Sequence, residues 1–110
     1  NYDIFVGGWF SDYNDPLDFL NVMKTGVYDS YGLYSNSEYD SLIDSLTGEN
    51  DNAKRLEIYQ KLEDLLVAQD CGVAPLYYSD KHYYYQNWVK DFYTSSFGAS
   101  QELYRASVQK

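Results

Sequence analysis

Gly7-Gly8-Trp9-Phe10-Ser11-Asp12-Tyr13-Asn14-Asp15-Pro16 passes from a strand end, through an aromatic and a carboxylate, to a helix start. Upstream of it, residues Tyr2 to Trp9 alternate, with Tyr2, Ile4 and Val6 on one face and Phe5 on the other, a pattern that predicts a strand. A glycine pair at a strand end marks a bend, or a place where something approaches the backbone closely, because no Cβ stands in the way. Downstream, Asp15 as N-cap, Pro16 at the first helical position and Asp18 near the positive helix terminus predict a short helix. It carries Leu17, Phe19, Leu20 and Met23 and stops before Gly26.

From Val27 to Asn36 the Tyr, Ser, Gly and Asn content signals a loop. Tyr39, Leu42, Ile43 and Leu46 then recur at helical spacing, which predicts an amphipathic helix capped near Ser37 and closed by Gly48. A second helix starts after Asn50 or Asp51. It places Leu56, Tyr59, Leu62 and Leu66 on one face with Ile58 and Leu65 alongside, pairs Glu57 with Lys61, and stops at Gly72. Val73 to Tyr78 reads as a strand whose Pro75 belongs at an edge or at its start. Strand, helices and strand make an α/β layout. Beyond Ser79-Asp80-Lys81 the chain turns to Tyr-rich extended sequence (His82 to Gln86), then Trp88-Val89, a polar stretch from Thr94 to Gln101, and a short apolar run at Leu103 and Tyr104. This tail is poorly equipped to bury itself, and is expected to rest on a part of a parent protein. The chain opens on Asn1 directly before a strand-like run, which fits a piece of something longer whose export signal lies upstream.

Composition narrows the function classes. With 45% hydrophobic and 23% charged residues the chain is of ordinary globular make-up, not disordered. Eight Lys and Arg against seventeen Asp and Glu give a net charge of −9 and no basic stripe, so nucleic acid is not an expected partner. Fourteen Tyr suit an adaptable binding surface, and equally suit solvent-facing strands. Cys71 has no disulfide or CxxC partner, and reads as a buried small apolar residue. No apolar run is long enough to span a membrane. No catalytic residue, metal site or cofactor is expected. His82 is the single histidine, no Gly-x-Ser-x-Gly elbow is present, and Asp12, Asn14 and Asp15 do not complete a calcium loop.

Ligands of open α/β sheets sit beyond the carboxyl ends of strands, where the Gly8 to Asp15 loop lies. Two readings of that loop are open from residue chemistry alone. Trp9 can wall a pocket while Asp12 accepts hydrogen bonds from an ammonium group. Or Trp9 is core, Asp12 forms an Asx-turn and Asp15 is only a cap. A hydrolase built on Asp12 and Asp15 is a distant third.

The run from Tyr2 to Pro16, with Phe19-Leu20, closely resembles a late motif of the peptide- and dipeptide-binding proteins of ABC importers. Tyr39-Asp40-Ser41-Leu42-Ile43, Lys54-Arg55 with Tyr59 and Glu63, and Ala74-Pro75-Leu76-Tyr77-Tyr78 match in order, so the resemblance covers nearly the whole chain. It implies the carboxy-terminal part of a two-lobed, periplasmic-binding-protein-like (type II) fold. Residues 1–78 would end one ligand-binding lobe, and residues 79–110 would cross over and return onto the other. It implies an extracellular or periplasmic protein, anchored through an upstream lipid-modified segment, that closes on an oligopeptide and presents it to ABC permease subunits. Asp12 would pair with the peptide amino group, Trp9 and Phe10 would line the adjoining pocket, Gly8 or Phe10 would offer backbone groups, and Tyr78 would complete the ligand site. Some relatives carry a basic residue shortly before the tryptophan, where this chain has Phe5-Val6-Gly7. Members of the broader family take nickel, haem or oligosaccharides, which are the alternative ligands.

Overall fold

The computed structural model describes residues 3–27, 33–97 and 103–109. Tyr2 of the first expected strand, residues 28–32 of the expected loop and residues 98–101 of the polar stretch lie outside them. Three helices carry the fold. Helix α1 is Leu17–Leu20, drawn out by a 3₁₀ turn at Asn21–Met23; α2 is Ser37–Ser45; α3 is Asn52–Glu63, running on into a π-helical turn at Asp64–Gln69.

Each helix starts where a side chain satisfies its first free amides. Asp15 accepts from the Leu17 amide at 2.8 Å, Asn36 accepts from the amides of Glu38 and Tyr39, and Asp51 accepts from Ala53 and Lys54. Gly26 (φ 79) and Gly48 (φ 82) turn the chain out of α1 and α2 through the left-handed region, as their positions predict. The end of α3 differs from expectation. Cys71, not Gly72, holds the left-handed position (φ 51), and it is exposed because the chain is there leaving the core. Gly72 is needed for space: its amide reaches the Leu66 carbonyl at 2.8 Å, and a Cβ would stand 2.7 Å from the Tyr34 ring.

Leu20, Val22 and Met23 from α1 and its 3₁₀ turn, Tyr39, Ile43 and Leu46 from α2 and its end, and Leu62, Leu65 and Leu66 from α3 form one core. Trp9, Leu17, Tyr34, Leu42, Ile58, Tyr59 and Val73 lie against it. At its centre Tyr39 and Leu62 are fully buried, and the Tyr39 hydroxyl donates to the Leu20 carbonyl at 2.8 Å. That bond keeps a buried hydroxyl and an end-of-helix carbonyl satisfied together. Burial pushes the Tyr39 hydroxyl far up. Two expectations about faces fail. Phe19 and Leu56 are exposed, since the helices meet along narrower stripes than the periodicity drew, and Asp18 is buried between them. Glu57 and Lys61 make no ion pair among the described residues; Lys54 instead reaches Glu49 at 4.0 Å.

The two expected strands form no ladder among the described residues. Residues 4–11 and 71–86 are neither helix nor ladder, because a strand needs a second edge to take its N–H and C=O groups. The one ladder described is antiparallel, β1 (Val89–Lys90) against β2 (Ser107–Val108), with Val89 opposite Val108. These open segments give the molecule a radius of gyration of 18.2 Å and a span of 58 Å. A compact domain of this length has a radius of about 13 Å.

Candidate functional site

The Gly8 to Asp15 loop is fixed at two points, both through carboxylates. Asp18, in the first turn of α1, is the one buried charged residue among those described. A single oxygen of it, Oδ2, accepts from the Asp12 amide at 2.7 Å and from the Trp9 indole nitrogen at 3.2 Å. Burying a carboxylate is costly unless such donors replace its water, so Asp18 holds the loop back over the helix start. Ser11 and Asp15 tighten the turn by donating to the Tyr13 carbonyl, the Asp15 amide at 3.0 Å.

The second point is Asp15. Its Oδ1 accepts from the Tyr59 hydroxyl and from the Leu17 amide, and its Oδ2 accepts from Arg55 at 2.8 Å. Arg55 also donates to the Tyr59 oxygen and to the carbonyls of Leu46 and Glu49, at 3.3 and 3.2 Å. One guanidinium thus joins the loop, the end of α2 and the body of α3, a task for which its planar fork of donors suits arginine. Burial raises the Asp15 pKa, but the Tyr59 hydroxyl, the Leu17 amide and Arg55 outweigh it and hold the carboxyl below its ordinary range. Burial and the Asp15 carboxylate push the Tyr59 hydroxyl up to about 12.

What this leaves free is the Asp12 carboxylate. Its amide is engaged by Asp18, but the side chain is exposed and makes no hydrogen bond or ion pair among the described residues. It is not locked into an Asx-turn. Asp15 is the cap, as one reading of the loop held, and Trp9 serves both readings: half-buried, it leans on the core while its indole nitrogen orders the loop. Burial and then the charges of Asp18, Asp15 and Asp12 push the Tyr13 hydroxyl up, which reports a negative field at this turn. Arg55 compensates Asp15; neither Asp12 nor Asp18 has a cation partner among the described residues.

The other expected site residues are distributed around the loop. Phe10 is 56% exposed, and the Lys81 ammonium lies 4.2 Å from its ring centroid, so the segment after Tyr78 meets the loop. Tyr78 itself is fully exposed. A Cβ on Gly8 would meet nothing within 4 Å; the space beside that backbone is open. A shallow depression of about 360 Å³ lies elsewhere, lined by Asp91, Phe92, Tyr93, Tyr104 and Arg105. Asp18, Arg55 and Tyr59, which order the loop, were not singled out as site residues from sequence. The one hint was that Lys54-Arg55 and Tyr59 belong to the matching pattern.

No family profile matches the chain. It is 32% identical over 88 residues, 80% of its length, to the periplasmic oligopeptide-binding protein OppA of Salmonella typhimurium. It is 33% identical over 93 residues to the oligopeptide-binding protein OppA of Bacillus subtilis. The solved substrate-binding domain of an oligopeptide ABC transporter from Bacillus anthracis superposes on 94% of the chain with a TM-score of 0.85 at 30% identity. The chain is homologous to part of these oligopeptide-binding proteins. Its fold is a portion of their type II binding-protein fold, as the motif resemblance implied. The chain spans 16% of the length of both OppA relatives and 20% of the solved domain.

Proposed function

We propose that this chain is the carboxy-terminal portion of the substrate-binding component of an ABC importer, which captures oligopeptides by cleft closure and hands them to permease subunits. In this reading residues 1–78 end one lobe and residues 79–110 cross over and return onto the other. The apolar residues left open, such as Ile4, Val6 and Leu76, are the seams along which it joins the rest of its parent. Binding, not catalysis, is its task. The parent works outside the cytoplasmic membrane, tethered through an upstream lipid-modified segment.

The observation that carries the reading is the Asp12 carboxylate, exposed and without a partner among the described residues, while its own amide and the Trp9 indole are both held by buried Asp18. A carboxylate on an anchored backbone, with no cation partner among the described residues and in a negative turn, is suited to a peptide ammonium. When two lobes close over the peptide, that ammonium loses its water, and burying it without a partner is costly. Trp9 and Phe10 supply the adjoining wall, Gly8 leaves room for the peptide backbone to run alongside, and exposed Tyr78 completes the ligand site.

In the intact protein Asp12→Ala is expected to weaken peptide binding by roughly 2–5 kcal/mol, the range for stripping one partner from a desolvated pair. Calorimetry giving equal affinities for the variant and the wild type removes Asp12 from the site. Ligand class is checked separately by the melting temperature of the intact protein. Peptides are expected to raise it, whereas a rise with oligosaccharides, nickel or haem alone defeats the peptide reading.

A further inference from the structure

Lys81 sits in the segment that follows Tyr78, seventy-one positions along the chain from Phe10, yet its ammonium is 4.2 Å from that ring. The contact is with the ring face, which attracts a cation but satisfies none of its three N–H donors. Lys81 is exposed and forms no ion pair among the described residues, in a chain with seventeen Asp and Glu. Phe10 therefore holds a cation in place without neutralising it. Phe10 is also two residues from Asp12, a backbone distance of at most about 7 Å. A free carboxylate and a free ammonium thus flank one short stretch of loop.

We propose that Lys81, seated on Phe10, receives a ligand carboxylate lying within one or two residues of the amine that Asp12 takes. The site would then select peptides that are acidic near their amino terminus. This rests on the reading of Asp12 as the ammonium partner and adds a specificity that the reading does not contain. The carboxylate has two possible sources with the same chemistry: an Asp or Glu side chain at the first or second residue, or the α-carboxylate of a very short peptide. The rest of this chain is mostly acidic, so a single placed cation beside the loop can set a preference.

The experiment is a binding series on the intact protein, with Glu and Gln versions of the same longer peptide at the first and second residues, and dipeptides with free and amidated ends. Wild type is expected to prefer the acidic member of a pair by about tenfold, as a charge-assisted hydrogen bond gives. Lys81→Met, which keeps the apolar stem over Phe10, should bring the pair within about twofold, and Lys81→Arg should retain the preference. The pair that shows the effect, side chain or chain end, names the source. Equal binding of both members of every pair by wild type, or a preference that survives Lys81→Met, overturns the proposal while leaving Asp12 in place. Asp12→Asn weakening all peptides alike marks the amine site as intact, so the two failures are told apart; if no peptide binds at all, both fall.

Discussion

Residues 17–70 and the segments on either side of them use the same kinds of residue to opposite effect. Between the helices, nine apolar side chains are withdrawn from water around Tyr39 and Leu62, and the caps, the Tyr39 hydroxyl and the Arg55 guanidinium meet polar partners from this same chain. In the flanks, every residue from 3 to 8 and from 74 to 82 is exposed, including Ile4, Val6, Leu76 and Tyr77. The difference is one of reach. A helix satisfies its backbone internally and needs only one face covered, whereas a strand needs neighbours at its edges and over its faces. Local sequence supplies the first and cannot supply the second.

The contrast is most open to attack through side-chain truncation. Leu62→Ala is expected to cost this chain about 2–5 kcal/mol in urea denaturation, because it empties the centre of the core. Leu76→Ala should shift the same transition by less than about 0.5 kcal/mol. In the intact protein Leu76→Ala should cost about 2 kcal/mol or more, as truncation of a buried leucine does. If Leu76→Ala is silent in both, the flanks are true surface and the lobe seam proposed for them is wrong.

How much of this was readable beforehand follows the same division. Helix starts at Asp15, Asn36 and Asp51 are local chemistry and fall within a residue of where the caps place them, while the left-handed glycines Gly26 and Gly48 stand three residues past Met23 and Ser45, where the helical turns end. The exposure of Leu56 and Phe19 was not readable, because periodicity names a face but not how wide a neighbour covers it. Nor was the exposure of Cys71, which depends on which residue takes the left-handed position. Within the site, Asp12 and Trp9 stood out as a carboxylate and an aromatic at a strand tip. Asp18 did not, since a first-turn carboxylate ordinarily faces water, and only the loop folding back on it brings two donors to one oxygen. Arg55 is forty positions from Asp15, and no local pattern announces a contact at that separation.

That long-range tie sharpens the comparison at the border of the two regions. Arg55→Met keeps much of the side-chain volume, but leaves Asp15, the Tyr59 hydroxyl and the carbonyls of Leu46 and Glu49 short of a donor. A loss of about 1–3 kcal/mol is expected from such unsatisfied, partly buried groups. The same change should loosen the loop, so in the intact protein peptide affinity should fall although Arg55 is not placed at the ligand. A stability loss with unaltered affinity would show that Asp18 alone is sufficient to hold Asp12.

The smallest effects are expected from acid. Two carboxylates at the ends of the helical region, Asp15 just before it and Asp70 at its close, are held below their ordinary range. In Asp15 the Tyr59, Leu17 and Arg55 donors prevail over burial; in Asp70 the Tyr34 hydroxyl and the Asn36 amide, each 2.7 Å away, are responsible. A carboxyl whose folded pKa lies below its unfolded value stabilises the fold fully above the unfolded value of about 4 and loses that contribution as pH falls through the folded one. Urea midpoints should therefore be level between pH 7 and pH 5 and decline below about pH 4. Asp15→Asn should flatten the decline more than Asp70→Asn, because Asp15 is partly sheltered and faces a cation while Asp70 stands in solvent, where screening leaves little. Asp70 nonetheless joins the end of α3 to Asn36, the cap of α2, so Asp70→Asn should register as faster amide exchange at Glu38 and Tyr39 even where the midpoint hardly moves. Unchanged exchange at those two amides would mean that Asn36 caps α2 without help from Asp70.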